Sequence, residues 1–290
     1  MYYPKLKSVV HLGIIFMATT MFSQNRFDKV TIESKKLTEN TYMLVGSGGN
    51  IGVSIGTDGT FIIDDQFAPL TEKIVATLKQ LSDKPIKVVM NTHHHADHTG
   101  GNENFGKLGA TIMAHDNVKK RLKDNSTAIA LPTITFNDKL TLNINGEDVL
   151  ALHVANAHTD GDTMLYFTES NLLHTGDTFF NRRYPYIDLS AGGSVDGYIN
   201  AVKTGLMLVD DNTKIIPGHG DLANKADYEA FLNMLETLKT NVLSAIENGK
   251  TEDEVANDNE ITKTYDALDY GCCFISSEKI KRTFYTSLKP

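Results

Sequence analysis

One short stretch places four potential metal ligands within six residues and constrains the fold more than any other feature. Residues 91–102 read NTHHHADHTGGN, in which His93, His95, Asp97 and His98 follow the pattern H-x-H-x-D-H. A strand-like run at 86–90 precedes this stretch and two glycines end it, so we expect a tight loop at a strand end. In such a loop the first two histidines project to one side, and the aspartate and the last histidine to the other. Imidazole nitrogens with a carboxylate suit zinc, and less specifically iron or manganese.

Three further potential ligands follow strand-like runs in the second half of the chain. His158 lies in NAHTDGD after the predicted strand 149–154, Asp177 in HTGDTFF after 172–173, and His219 in PGHGD after 214–216. Glycines beside each residue permit the sharp turns that let distant segments converge. One histidine after a strand is a weak indicator, but all three together with H-x-H-x-D-H strongly indicate a metal centre.

The remaining pattern predicts strands and helices in both halves of the chain. Short apolar runs at 30–32, 41–45, 51–55 and 61–63, punctuated by glycines, predict an antiparallel meander. Pro69 opens an amphipathic helix that reaches Leu81, and the longest helical pattern covers 226–247. We therefore predict an α/β fold in which two sheets face each other and helices cover them outside.

From about Val30 to Gly220, these motifs resemble the metallo-β-lactamase superfamily. The resemblance implies an αββα sandwich of two mixed β-sheets flanked by helices, with a binuclear metal site at one edge. The implied ligands are His93, His95 and His158 for a first zinc ion, Asp97, His98 and His219 for a second, and Asp177 as a bridge. Iron and manganese stay open as alternatives to zinc.

The chain departs from the superfamily's β-lactamases in two ways. Those with a cysteine ligand carry it where Asp177 stands, and a lysine a few residues later binds the substrate carboxylate; here Thr178, Phe179 and Phe180 follow instead. A bridging aspartate is the pattern of glyoxalase II, lactonases and many general hydrolases. Yet the sequence after His219 does not resemble the glutathione-binding helical domain of glyoxalase II. The stretches 46–50 and 184–188 resemble exported bacterial lactamase-like members, a resemblance less specific than that of the metal motif.

A mechanism follows from the implied pair of metals. Two divalent cations lower the pKa of a bound water toward ~7, and the resulting metal-bound hydroxide attacks a substrate carbonyl. Asp97 is the predicted catalytic residue, because it can orient this nucleophile and shuttle its proton. We expect hydrolysis of a β-lactam-like cyclic amide. The alternative is a lactonase, ester or thioester hydrolase on the same metals, and an iron-bound redox member is less favoured.

The loop after Asp177 is the candidate substrate-binding segment. Its sequence at 179–193 is FFNRRYPYIDLSAGG. We predict that Phe179, Phe180, Tyr184 and Tyr186 wall the cleft. Arg182 or Arg183 is predicted to bind a substrate carboxylate in place of the missing lysine. Core packing is the alternative for the aromatic residues, and a solvated loop is the alternative for the arginines.

The N-terminal sequence and the net charge of the chain indicate where the protein is located and which partners it has. Lys5 and Lys7, followed by an apolar run at 9–22 that is too short to span a bilayer, predict a signal peptide at residues 1–23. Export to the periplasm or beyond follows, without stable membrane insertion after cleavage. Residues 24–290 are then a single domain with C-terminal helices at 225–290. A formal net charge of −8 disfavours a nucleic-acid partner, so a small-molecule substrate is expected.

The two cysteines, Cys272 and Cys273, are adjacent in the sequence. Neighbouring cysteines can bridge only through a strained ring, so we do not expect a structural disulfide even in the oxidising compartment that export implies. Packing of both thiols in the core is expected instead.

Overall fold

The computed structural model describes residues 25–289, so the predicted signal peptide at 1–23 lies outside the described residues. The strands are β1 (Glu33–Lys36), β2 (Thr41–Val45), β3 (Ile51–Gly56), β4 (Gly59–Ile63), β5 (Ile86–Met90), β6 (Thr111–His115), β7 (Ile134–Phe136), β8 (Lys139–Ile144), β9 (Glu147–His153), β10 (Thr163–Phe167), β11 (Leu172–His174) and β12 (Lys214–Ile216). The helices are α1 (Asn25–Asp28), α2 (Thr71–Leu81), α3 (Ala96–Thr99), α4 (Asn102–Lys107), α5 (Asp116–Leu122), α6 (Val195–Leu208), α7 (Lys225–Glu247), α8 (Glu252–Asn257), α9 (Lys263–Asp266) and α10 (Ser277–Leu288).

The strands form two mixed sheets. The first has seven strands in the order of the sequence, β1 to β7, of which β1 to β4 are antiparallel and β4 to β7 are parallel. The second has five strands in the order β12-β11-β10-β9-β8, and only β11 and β12 pair in parallel. Strands β9, β11 and β12 therefore run in one direction. The segments that follow them leave the second sheet at the same edge.

The core separates into layers because side chains alternate along each strand. Phe61 and Ile63 on β4 face the second sheet and pack with its Phe167, whereas Ile62 between them faces α2. A larger apolar cluster joins the outer face of the second sheet to α6, α7 and α10. This arrangement of helix, sheet, sheet and helix confirms the predicted αββα sandwich.

Element bounds differ from the sequence-based prediction at a few places. Strand β1 covers Glu33–Lys36, with every residue exposed, rather than the apolar run at 30–32. A 3-10 turn at Ala68–Leu70 holds Pro69, so α2 begins at Thr71. Across residues 25–289, we find no helix with the length and hydropathy that crossing a membrane requires.

Candidate metal centre

The stretch 91–102 follows β5 as a tight loop that runs into the single turn α3. In it, Nδ1 of His95 lies 3.1 Å from Nε2 of His93 and 2.9 Å from Nε2 of His158, which comes from the loop after β9. Three ring nitrogens thus converge on one point. Burial lowers the pKa of His93 well below its ordinary value and that of His158 to about 4. Both rings are therefore neutral with a free lone pair, the state in which histidine binds a metal.

A second group of donors lies beside the first. Asp97 Oδ2 is 3.4 Å from Nε2 of His219 and 3.7 Å from Nε2 of His98. Asp177 reaches both groups, because its Oδ1 is 3.1 Å from His98 and its Oδ2 is 3.6 Å from His158. The structure therefore brings together all seven residues that the sequence singles out as ligands, with Asp177 between the two groups.

The donor set fits metal binding on two observations. Three nitrogens meet in the first group, whereas two nitrogens and a carboxylate oxygen meet in the second, and zinc prefers such donors. In addition, His98 Nε2 and Asp177 Oδ1 are buried and, although they lie 3.1 Å apart, neither has a hydrogen-bond partner in suitable geometry among the described residues. Buried polar atoms of this kind are rare unless something satisfies them, and a cation between them would do so.

Two carboxylates behind the donors hold the histidine rings in place. His98 donates from Nδ1 to Asp64 at 2.7 Å, and Asp64 also accepts from the backbone and hydroxyl of Thr92. His95 donates from Nε2 to Asp188 at 3.0 Å. Such partners fix the tautomer and orientation of a ligating ring. Neither role was predicted from the sequence, although Asp64 directly follows β4, the parallel neighbour of β5.

Glycines allow the backbone to approach the donors closely. A Cβ at Gly49 would collide with the ring of His98, and one at Gly218 would collide with the carboxylate of Asp177. Asn50 connects the loop 46–50 to the loop that carries His219, because its side-chain amide donates to the carbonyls of Pro217 and Gly220 at 2.9 Å each. The glycine loop 46–50 therefore covers the second donor group.

A cavity of about 370 Å³ opens onto the donors. Its lining includes His95, Asp97, Asp177 and His219, together with Arg26, Gly48, Phe67, Phe180, Arg183, Tyr184, Tyr186, Tyr270, Cys273, Phe274 and Ile275. Phe180 stacks on the ring of His219 with centroids 4.9 Å apart. The volume, and a lining that combines six phenylalanine and tyrosine rings with a few charged groups, are typical of small-molecule sites.

The predicted substrate contacts divide between the cavity and other surroundings. Arg183 and Tyr184 line the cavity. Arg182 instead adopts a left-handed backbone conformation, is largely exposed and lies 3.8 Å from Asp227. Phe179 does not wall the cleft; it is fully buried and packs on α7. The backbone here is extended, so Phe180 rather than Phe179 faces the cavity.

The expectation for the cysteines is wrong. Cys272 and Cys273 are exposed rather than packed in the core, and a disulfide bond joins them. The reason is their position in the loop between α9 and α10, which passes the mouth of the cavity instead of entering an apolar layer.

Comparisons with known proteins agree with this geometry. The sequence profile described as "Metallo-beta-lactamase superfamily" matches residues 37–219. The chain is 25% identical over 218 residues to the 2,4-dinitroanisole O-demethylase subunit alpha of Nocardioides sp., covering 74% of this chain and 65% of that protein. It is 30% identical over 148 residues to a hydroxyacylglutathione hydrolase of Pelagibacter ubique, covering 49% and 56% respectively. It is also 36% identical over 115 residues to the cytoplasmic hydroxyacylglutathione hydrolase of Arabidopsis thaliana, covering 38% and 41%.

Solved structures share the fold at lower identity. A metallo-β-lactamase from Pontibacter korlensis superimposes with a TM-score of 0.63 at 18% identity, over 71% of this chain and 99% of that one. The DIM-1 metallo-β-lactamase gives 0.62 at 20%, over 72% and 99%. The chain spans less than two thirds of the length of the three curated relatives above. Because the profile covers more than half of it, the chain belongs to the metallo-β-lactamase superfamily.

Proposed function

We propose that the protein is a zinc-dependent hydrolase, with two ions per chain, that opens a β-lactam-type cyclic amide bearing a carboxylate. The observation that carries this proposal is that Arg183 lines the same cavity as Asp97 and Asp177 of the paired donor groups. A carboxylate beside the reactive bond is common to the β-lactam antibiotics. Arg183 can therefore bind the substrate carboxylate in place of the lysine that is missing after Asp177.

The charges around the cavity favour an anionic substrate. The carboxylates in its lining are those of Asp97 and Asp177, and both belong to the donor groups. Arg183 forms no ion pair within residues 25–289, whereas Arg182 faces Asp227. A guanidinium can bind a carboxylate through two parallel hydrogen bonds. Arg183 is thus available to hold the substrate.

The residues of the chain divide the chemistry among them. Bound zinc supplies water of lowered pKa and polarises a carbonyl. Burial raises the pKa of Asp97, but the neighbouring His98 and His219 outweigh it and leave that pKa below its ordinary value. Asp97 is therefore ionised at neutral pH, and its carboxylate can accept the proton of the attacking water and return it to the leaving nitrogen. Tyr186 and Phe180 exclude bulk water from this exchange.

A second candidate is a hydrolase of thioesters or lactones. It is favoured by the aspartate at the bridging position and by the relatives named as hydroxyacylglutathione hydrolases. The same donor groups and the same Asp97 serve either reaction, because both begin with attack on a carbonyl. The two candidates therefore differ in substrate preference and not in machinery.

Zinc-loaded protein assayed on a chromogenic cephalosporin tests the proposal. We expect a kcat/KM above about 10⁴ M⁻¹s⁻¹, the low end for working enzymes, and its loss in His95→Ala. Arg183→Ala should raise KM about tenfold or more, because it removes the carboxylate contact. Arg182→Ala is the matched control and should behave like the wild type. A trace rate on the cephalosporin, with faster turnover of a hydroxyacyl thioester or a lactone, would replace the first candidate by the second.

We also propose that the protein is exported, on the basis of the targeting pattern at residues 1–23. Expression of the full chain in a bacterial host, followed by fractionation and N-terminal sequencing, tests this. Mature protein that begins near Gln24 outside the cytoplasm is the expected result. Uncleaved protein in the cytoplasm would contradict it.

A further inference from the structure

The segment 269–275, called here the cysteine loop, forms part of the cavity although it lies beyond the residues that the superfamily profile matches. Tyr270, Cys273, Phe274 and Ile275 from this loop line the cavity. Tyr270 and Ile275 are buried, but Phe274 is 71% exposed. An exposed aromatic ring in the lining of a cavity is available to pack against a bound ligand.

The cysteine loop is held in place from several directions. Tyr184 donates from its backbone N–H to the carbonyl of Tyr270 at 3.0 Å, and from its hydroxyl to Asp266 at 2.8 Å. The bond between Cys272 and Cys273 closes a small ring immediately before Phe274, which restricts the backbone torsions there. A rigid loop loses less conformational entropy when a ligand binds to it.

The ring of Phe274 is also positioned by its neighbours. Lys279 Nζ lies 4.4 Å from the centroid of Phe274 and 5.2 Å from that of Tyr186, distances at which a cation is attracted to an aromatic face. Tyr186 meets Phe274 edge-on at 5.7 Å and stacks on His95 at the same distance. A continuous aromatic wall therefore runs from a residue of the first donor group to the mouth of the cavity.

We propose that this wall determines specificity, with Phe274 packing against a flat apolar substituent next to the acyl group that is hydrolysed. The inference rests on the proposed hydrolysis and adds the class of substituent that the site selects. Apolar contact favours a substrate with an aromatic side group over its truncated analogue. Removal of such a contact changes discrimination by about tenfold or more.

Two penicillins that differ only in the side group test the inference. Benzylpenicillin carries a phenylacetyl group, and 6-aminopenicillanic acid lacks it. In zinc-loaded Phe274→Ala we expect kcat/KM for benzylpenicillin to fall about tenfold, mainly through KM, with little change for 6-aminopenicillanic acid. Leu268→Ala is the control, because Leu268 is similarly exposed, at 63%, on the same connection but outside this cavity. Equal losses on both substrates, or no loss on either, would overturn the inference.

The disulfide is tested in the same assay. Replacing both cysteines by serine frees the backbone before Phe274, and we expect a loss of the preference for benzylpenicillin that is smaller than in Phe274→Ala. An unchanged preference would overturn the role of the disulfide in holding the wall.

A binding measurement separates this inference from the proposed hydrolysis. The fluorescent anion 8-anilinonaphthalene-1-sulfonate combines an aromatic body with a negative charge, and its dissociation constant can be measured with or without zinc. We expect Phe274→Ala to weaken binding about fivefold or more, and Leu268→Ala to leave it unchanged. If the wild type hydrolyses neither penicillin but binds the probe through Phe274, the proposed hydrolysis is contradicted and the proposed role of the aromatic wall in binding is supported. If the probe binds Phe274→Ala as tightly as it binds the wild type, the proposed role of the aromatic wall is contradicted.

Discussion

At the scale of single residues, the candidate metal centre depends on carboxylates that accept hydrogen bonds from the histidine donors. Asp188 accepts from Nε2 of His95, from the hydroxyl of Ser190 and from the backbone of Ala191. Burial raises the pKa of Asp188, but these hydrogen bonds lower it below its ordinary value. The carboxylate is therefore ionised and keeps the proton of His95 on Nε2, which leaves Nδ1 free to bind a metal.

Replacement of Asp188 by Asn should weaken metal binding without unfolding the chain. The amide keeps the shape but not the charge, so the preferred tautomer of His95 is less strongly enforced. We expect zinc affinity or activity to fall about 10- to 100-fold, measured by competition with a chromogenic chelator. Asp196→Asn is the control, because that carboxylate lies on the surface and pairs with Lys239. Equal zinc affinity in both variants would contradict the role of Asp188.

Gly49 offers a second prediction for one residue. Its missing side chain leaves room for the ring of His98, so Gly49→Ala should displace either the loop or the ring. We expect loss of zinc from the second donor group, with the first retained. Zinc stoichiometry by mass spectrometry under native conditions would show about one ion in place of two. Ser47→Ala, in the same loop, should retain full stoichiometry; two ions in Gly49→Ala would show that the loop can move aside.

Residue types and spacing were enough to predict that the seven side chains converge, but not which groups position them. H-x-H-x-D-H marks its own loop, whereas Asp64 meets His98 only because β4 and β5 are parallel neighbours. Arg182 and Arg183 are identical neighbours in the sequence. Arg183 lines the cavity, whereas Arg182, which has a left-handed backbone, does not, and the sequence around them carries no signal for this difference.

At the scale of elements, apolar patterning predicted most strands and helices because burial enforces it. The strands Thr41–Val45, Ile86–Met90 and Lys214–Ile216 have the predicted bounds. The exposed edge strand β1 and the short helix α4 were not predicted. Strand β1 pairs with β2 through backbone hydrogen bonds, and all its side chains are exposed. Its sequence therefore has no apolar periodicity from which a strand could be predicted.

The packing of α7 on the second sheet gives a prediction for this scale. Leu238 is 1% exposed within the apolar cluster that joins α7 to α6 and the sheet. Leu238→Ala should lower the free energy of unfolding by about 2–5 kcal/mol, since the cavity left behind collapses only partly. Lys239→Ala, the next residue, removes only a surface ion pair with Asp196, worth under about 1 kcal/mol. Urea denaturation compares the two; similar losses would mean that α7 contributes little through this face.

At the scale of the whole molecule, loops from both sheets meet at the candidate metal centre. The loops after β4 and β5 leave the first sheet, and those after β9, β11 and β12 leave the second, toward the same cavity. The sequence predicts that distant segments converge, because ligands follow strands. It does not predict that the cysteine loop, which lies beyond His219 and follows α9, returns to the same place. That return depends on tertiary contacts of Tyr184 and Asp266.

Stability should depend on pH through a buried histidine between the sheets. Burial lowers the pKa of His174 to about 4, against about 6.5 in an unfolded chain. Between these values the unfolded chain binds a proton that the folded protein does not, so the free energy of unfolding falls as the pH drops from about 6.5 to about 4. The total contribution of this one group is about 3 kcal/mol.

Urea denaturation of metal-free protein at several pH values between 7 and 4 measures this dependence. His174→Gln lacks the titrating ring, so its stability should change less steeply over the range, although its stability at pH 7 is lower. Other titrating groups are present in both proteins and cancel in the comparison of slopes. Equal slopes would show that His174 is not the group responsible.

Metal removal tests how far the centre ties the two sheets together. His93 and His95 come from the first sheet and His158 from the second, and these donors converge only in the folded chain. An ion that binds the folded state alone adds about 2.7 kcal/mol of stability at 100 times its dissociation constant, or about 5–10 °C in melting temperature for a chain of this size. We therefore expect zinc to raise the melting temperature of chelator-treated protein by that amount, and to raise that of His158→Ala much less. His153→Ala is the control, because His153 ends the strand that precedes His158 but stacks on His115 and is not one of the donors. If zinc stabilised all three proteins equally, the ion would be binding elsewhere and the sheets would be joined by apolar packing alone.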